Sequence, residues 1–149
     1  MKGFIIVVFV LLFAVSCASV QTAKMPTEDL QETVKAYWEV RKAKDLNSSW
    51  NFERRSLIKE PDRRAIFKSA YLQKETAFVV KDFEILEMGK EGSHPKGFTP
   101  VRIKVYTYYP ANLPVKMPSR ERVIELDDLW ERIDGRWYRV HVTVIGEFY

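Results

Sequence analysis

The sequence predicts an α+β domain, with N-terminal helices packed on a curved, mainly antiparallel sheet of about four or more strands. Three observations predict it. Apolar residues recur at spacings of three to four between Leu30 and Leu46, a helical period. From Phe98 onward they alternate every second residue, the period of a half-buried strand. Between Val123 and Ile145, two runs rich in β-branched and aromatic residues flank Asp134-Gly135. That pair signals a tight hairpin, because a type I′ turn needs positive φ at both central residues.

The 149 residues fit a single domain, and 46% of them are hydrophobic, with four Trp, seven Tyr and nine Phe, which excludes a disordered chain. Cys17 is the sole cysteine, so an intramolecular disulfide and any multi-cysteine metal site are excluded. With only His94 and His141 as histidines, no metal site is expected, and no cofactor motif is present.

Residues 1–16 read as a secretory signal peptide: Lys2 is followed by an unbroken apolar run from Phe4 to Val15. At the helical rise this run spans about 18 Å, too short for the roughly 30 Å hydrocarbon core. Its end, Ala14-Val15-Ser16-Cys17, resembles the lipobox of bacterial lipoproteins, although Ala14 stands where those signals more often carry Leu. The resemblance implies that Cys17 becomes the acylated mature N-terminus, carrying chains such as palmitate that anchor it to a membrane. Ala18 after the cysteine implies the outer membrane, facing the periplasm, by the sorting rule of enteric lipoproteins. Residues 17–26 then form the lipidated cysteine and a short tether, reaching at most about 30 Å, and residues 27–149 the domain.

Thr27 is the expected N-cap of a long amphipathic helix running through Leu30, Val34, Tyr37, Trp38 and Leu46 to Asn47-Ser49. A short helical piece over Trp50 to Ile58 should stop at Glu60-Pro61, since the residue before proline leaves the α region. Asp62 caps a third helix with Ile66, Phe67, Ala70 and Tyr71 on one side. Most of these aromatics read as core. Tyr37, Trp38, Trp50, Phe67 and Tyr71 are the candidate pocket.

From Lys35 to Lys74 there are eleven Lys or Arg against five Asp or Glu, a net of +6, whereas Glu75 to Tyr149 carries −1. The excess lies on the helices. Arg54, Arg55, Arg63 and Arg64 form a candidate basic patch, either a solvated face or a surface for anionic lipid or another envelope polyanion. A signal peptide takes the chain out of the cytoplasm, so nucleic acid is not an expected partner.

Thr76 to Met88 reads as a strand of imperfect alternation, Gly89 to Gly97 as a loop, and Phe98 to Tyr109 as a strand with Val101, Ile103, Val105 and Thr107 on one side. Pro110, Pro114 and Pro118 mark a connection before the hairpin. Strict hairpin pairing would set Glu125 and Asp127 on the apolar stripe, so a bulge is expected at Asp127-Asp128. The bulge brings Leu126 opposite Val142 and Ile124 opposite Val144, grouping Ile124, Leu126, Leu129, Tyr138, Val140, Val142 and Val144 on one face. It leaves Trp130, Arg132, Trp137, Arg139 and His141 on the other, where the Trp and Arg residues form a candidate interaction surface stacked by cation–π contacts.

A long helix containing Y-W-E-V-R-K-A-K-D-L, further helices, and a sheet closing with L-W-E-R-I-D-G-R-W-Y resembles the NTF2-like superfamily over residues 27–149. The resemblance implies a helix-wrapped cone and leaves the activity open, since the superfamily holds enzymes, dimerisation domains and lipoproteins alike. Two functions follow. The first is a non-enzymatic binding or assembly role toward a partner protein, a second copy of the chain or an apolar ligand. The alternative is a small isomerase- or dehydratase-type enzyme using a carboxylate and His141. The facing argument puts His141 outside the main apolar pocket.

Overall fold

The structure, a computed structural model, describes residues 25–108 and 121–140. The expected signal peptide, Cys17, most of the tether, the Pro110 to Pro118 connection and His141 with the end of the hairpin lie outside the described residues. Helices α1 (Leu30–Lys42), α2 (Leu46–Trp50) and α3 (Pro61–Thr76), with a 3₁₀ turn at Arg54–Leu57, precede strands β1 (Val79–Met88), β2 (Thr99–Tyr108), β3 (Glu121–Ile133) and β4 (Arg136–Val140). The strands form one antiparallel meander in the order β1-β2-β3-β4. Helices followed by a four-stranded antiparallel sheet are the expected α+β arrangement. No described helix is long and apolar enough to cross a membrane.

Asp29, not Thr27, caps α1, its carboxylate accepting the Glu32 N–H at 2.7 Å. Thr27 has another task. Its carbonyl accepts the Trp137 backbone N–H at 3.1 Å, and the Glu28 carbonyl accepts the Trp137 indole at 3.0 Å, so the entry to α1 is tied to the hairpin. The expected single helix is broken at Lys44, which takes a left-handed φ of 60°. Asp45 restarts the chain as the cap of α2 by accepting the Ser48 N–H at 3.0 Å. The helix α3 begins at Pro61, one residue before the expected cap Asp62, because proline's missing N–H is lost at no expense in the first turn. Of the apolar side expected for α3, Tyr71 is buried, whereas Ile66 and Ala70 are exposed.

The Asp134-Gly135 turn forms as the sequence requires, with φ of 49° and 82° and the register Ile133↔Arg136, Leu129↔Val140. The expected bulge at Asp127-Asp128 would stand opposite His141, outside the described residues, but the faces expected from it are corrected: β2 and β3 pair without a shift from Thr99↔Trp130 to Tyr108↔Glu121. Facing residues of an antiparallel pair share a side. Opposite Val105, Ile103, Val101 and Thr99 therefore stand Ile124, Leu126, Asp128 and Trp130, all turned toward the helices. Across the hairpin Trp130↔Arg139 and Arg132↔Trp137 continue the same face. Leu129, Tyr138 and Val140 lie on the opposite one, apart from Ile124 and Leu126. Among the described strands, shifts occur in β1, between Val80 and Asp82 and between Ile85 and Glu87. Each inserts one residue, which is why the core positions Val80, Phe83, Ile85 and Met88 are spaced three, two and three apart.

The core lies between α1 and this face, where Val34, Tyr37, Trp38, Val40 and Phe52 pack on Val80, Val101, Ile103, Val105, Trp130 and Trp137. Tyr37 meets Trp38, Phe52 and Trp130 edge-on, with ring centres 5.4, 6.0 and 5.8 Å apart. Truncating a residue as enclosed as Trp130 to alanine costs about 3–5 kcal/mol.

Candidate functional site

Alternation along β4 points Arg139 inward, and the chain at Phe52-Glu53 runs beside it: the Arg139 N–H donates to the Phe52 carbonyl at 2.7 Å, and Glu53 bridges Arg139 in parallel. The guanidinium reaches Glu53 Oε1 at 3.0 Å through Nη1 and Asp128 Oδ1 at 3.0 and 2.9 Å through Nε and Nη2. It lies 5.1 Å from the centre of the Tyr37 ring. The second oxygen of Asp128 accepts the Trp38 indole N–H at 3.0 Å, and Tyr37 Oη donates to Glu53 Oε1 at 3.3 Å. Asp128 sits among apolar neighbours because these donors satisfy both its oxygens. Glu53 Oε2, equally buried, has no hydrogen-bond partner.

A second buried charge joins this cluster from α1. Arg41 pairs with Glu75 of α3, donates to the Phe78 carbonyl at 3.1 Å and reaches Tyr71 Oη at 3.5 Å, while Tyr71 and Ser49 share a 2.7 Å hydrogen bond. Burial pushes the Glu53 carboxyl above its ordinary value, against the opposing pull of Arg139. The Arg139 guanidinium shifts upward, because Asp128 and the other groups around it outweigh its own burial. Arg139 makes two contacts to Asp128 and one to Glu53, which leaves Glu53 only partly compensated. Burial likewise raises the hydroxyls of Tyr37 and Tyr71.

Beside the cluster a cavity of about 430 Å³ opens between the end of α3 and β3. Trp38, Phe78, Ile124, Leu126 and Val140 give it apolar walls, and Arg139 and Asp128 stand at its charged side. Of the expected pocket residues, Tyr37 and Trp38 line it. Trp50 lines a separate groove of about 470 Å³ with Met25, Leu57 and Tyr138, and Phe67 a hollow of about 220 Å³. Tyr71 is buried against Trp50, ring centres 5.4 Å apart.

The expected surface of Trp130, Arg132, Trp137 and Arg139 is corrected in three members. Trp130 and Trp137 are core, and Arg139 is turned beneath the helices, because the helices cover this face of the hairpin. Only Arg132 is exposed, its guanidinium 6.0 Å from the Trp137 ring centre, as cross-strand stacking requires. In the basic patch, Arg54, Arg55 and Arg63 converge on the hollow at Phe67, while Arg64 faces the neighbouring groove. Asp127 is exposed and pairs with Arg102 at 3.2 Å. Sequence reasoning missed Arg41, Glu53, Glu75 and Asp128; for Asp128 the visible signal was its place in the alternation Ile124, Leu126, Asp128, Trp130, an acid among apolar residues two positions before the partner of Arg139. Among the described residues no cluster of His, Cys, Asp or Glu is placed to hold a metal. Comparison of the chain with known protein families, with characterised proteins and with solved structures gives no match.

Proposed function

We propose that this is a cell-envelope lipoprotein, anchored through acyl chains on Cys17 at the outer membrane and facing the periplasm. Its NTF2-like domain has a non-enzymatic role, holding an apolar ligand or an apolar segment of a partner. The observation that carries the binding reading is the open, mainly apolar cavity between α3 and β3, with Trp38, Phe78, Ile124 and Leu126 in its walls. The polar groups beside it are paired with one another: Asp128 is held by Arg139 and Trp38, and Arg41 by Glu75. Such groups orient an apolar guest. For proton transfer they would first have to break buried bonds.

Two measurements test the two halves of the proposal. Intact mass of the membrane-extracted chain should show an acylated species beginning at Cys17, absent in Cys17→Ser; an unmodified mass starting elsewhere rejects the anchor. A fluorescent fatty-acyl probe should quench tryptophan emission on entering beside Trp38, and Leu126→Arg should abolish that quenching. Unchanged quenching in Leu126→Arg rejects the cavity as the binding site.

A further inference from the structure

We infer that the hollow around Phe67 binds the phosphate of an anionic lipid headgroup. Arg54 and Arg55 on the 3₁₀ turn and Arg63 in the first turn of α3 line it together with Ile58 and Glu60, and Arg54 is also ion-paired with Glu131 at 3.1 Å. The Arg55 and Arg63 guanidiniums lie 4.7 and 5.7 Å from the centre of the same Phe67 ring. One aromatic side chain thus gathers two guanidiniums at the rim of one hollow, where a single anion reaches both. Guanidinium forks suit phosphate oxygens in a way that ammonium groups do not.

Charge and chain geometry name the source of that phosphate. The inference rests on the anchored reading at this step. Met25, the first described residue after the tether, lines the adjoining groove with Leu57, Arg64 and Lys68. It lies eight positions after Cys17, at most about 28 Å of chain. An acylated Cys17 therefore holds a membrane close to this side of the domain. Leu57 and Ile66, from the same turn and helix, are 41% and 68% exposed, and Met25 is 47% exposed. Apolar side chains beside a basic hollow fit the boundary between headgroups and acyl chains. A free phosphate would use the arginines and leave Leu57 and Ile66 unexplained.

The test uses the full chain in uncharged detergent, titrated calorimetrically with dihexanoyl phosphatidic acid, dihexanoyl phosphatidylcholine and inorganic phosphate. Phosphatidic acid should bind saturably and tighter than either of the others. Arg63→Gln should weaken it roughly five-fold, the usual effect of one basic side chain at an anionic surface. Ile66→Ser should weaken phosphatidic acid and leave inorganic phosphate unchanged. Lys90→Gln, the same charge change on the β1–β2 loop, should alter neither. Both helix positions are exposed, so these variants keep the fold. Equal binding of phosphatidylcholine, inorganic phosphate binding as tightly as the lipid, or indifference to Arg63→Gln overturns the inference. The mass of Cys17 is measured separately, so loss of the anchor and loss of the headgroup site give different results.

Discussion

Arg139 and Glu53 are joined twice, by a 3.0 Å ion pair between Nη1 and Oε1 and by adjoining backbone, where the Arg139 N–H donates to the Phe52 carbonyl at 2.7 Å. The contact fastens the chain between α2 and the 3₁₀ turn to the hairpin's last described strand. Removing the guanidinium strands Asp128 and Glu53 in the interior, and breaking a buried pair from one side costs about 3–5 kcal/mol. Arg139→Met should therefore lower the unfolding free energy by that amount, a large part of the stability of an ordinary domain, and bring the urea midpoint down with it. Arg139→Lys should rescue little, because an ammonium cannot reach both carboxylates in fork geometry. A fully restored midpoint in the lysine variant would show that charge alone is sufficient.

The raised carboxyl of Glu53 sets a pH dependence with a definite sign. The folded chain holds this proton more tightly than the unfolded chain does. Its stabilising contribution is complete below the unfolded-state value and disappears as pH rises through the folded-state value. Glu53→Gln, which mimics the protonated group, should be the more stable protein at neutral pH. The difference from the parent should close as pH falls toward the ordinary carboxylate range. Denaturation of both proteins across that range checks it, and a gap that widens with acid would show that the attraction of Arg139 outweighs burial.

How legible this was follows from the same residues. The Asp134-Gly135 turn, the alternation of β2 and the helical stripe through Val34, Tyr37 and Trp38 are local patterns, and each appears where the sequence places it. The faces of the hairpin were not legible in this way. A bulge is expected in order to lift Glu125 and Asp127 off the stripe of Leu129 and Val140, but both are exposed, and the buried acid is Asp128, held by Trp38, 90 residues earlier, and by Arg139. Periodicity carries no information about a partner that distant. The shifts are in β1, where the uneven spacing of Val80, Phe83, Ile85 and Met88 already contained them. The same misreading turned Trp130 and Trp137 outward and scattered the expected aromatic pocket over several hollows.

Trp38 contributes more than apolar area. Its indole N–H is the donor to Asp128 Oδ2, at 3.0 Å between two buried side chains. Trp38→Phe keeps much of the ring packing and removes that donor, so an uncompensated acceptor remains, at about 1–3 kcal/mol. In an Asp128→Asn background the same substitution should cost less, since a neutral amide is less expensive to leave unpaired. Equal losses in the two backgrounds, measured as a double-mutant cycle, would assign the whole effect to packing.

Two glycines separate steric exclusion from backbone strain. Gly135 has φ of 82°, and a Cβ there would meet only Glu28 Oε1 at 3.8 Å, an ordinary contact. Gly135→Ala should therefore cost only the left-handed penalty of about 1–2 kcal/mol. Gly135→Asn should recover part of it, because asparagine tolerates that region better. Gly89 poses the opposite problem: a Cβ would stand 2.4 Å from the Pro100 carbonyl oxygen and 2.7 Å from its Cγ. That carbonyl also accepts the Gly89 N–H at 2.8 Å, closing the ladder between β1 and β2. Overpacking against backbone cannot be relieved by a rotamer change, so Gly89→Ala should cost about 3 kcal/mol or more. Gly89→Asn should be no better than alanine. If asparagine rescued position 89 as it does position 135, the defect there would be conformational and the close approach to Pro100 would not be its cause.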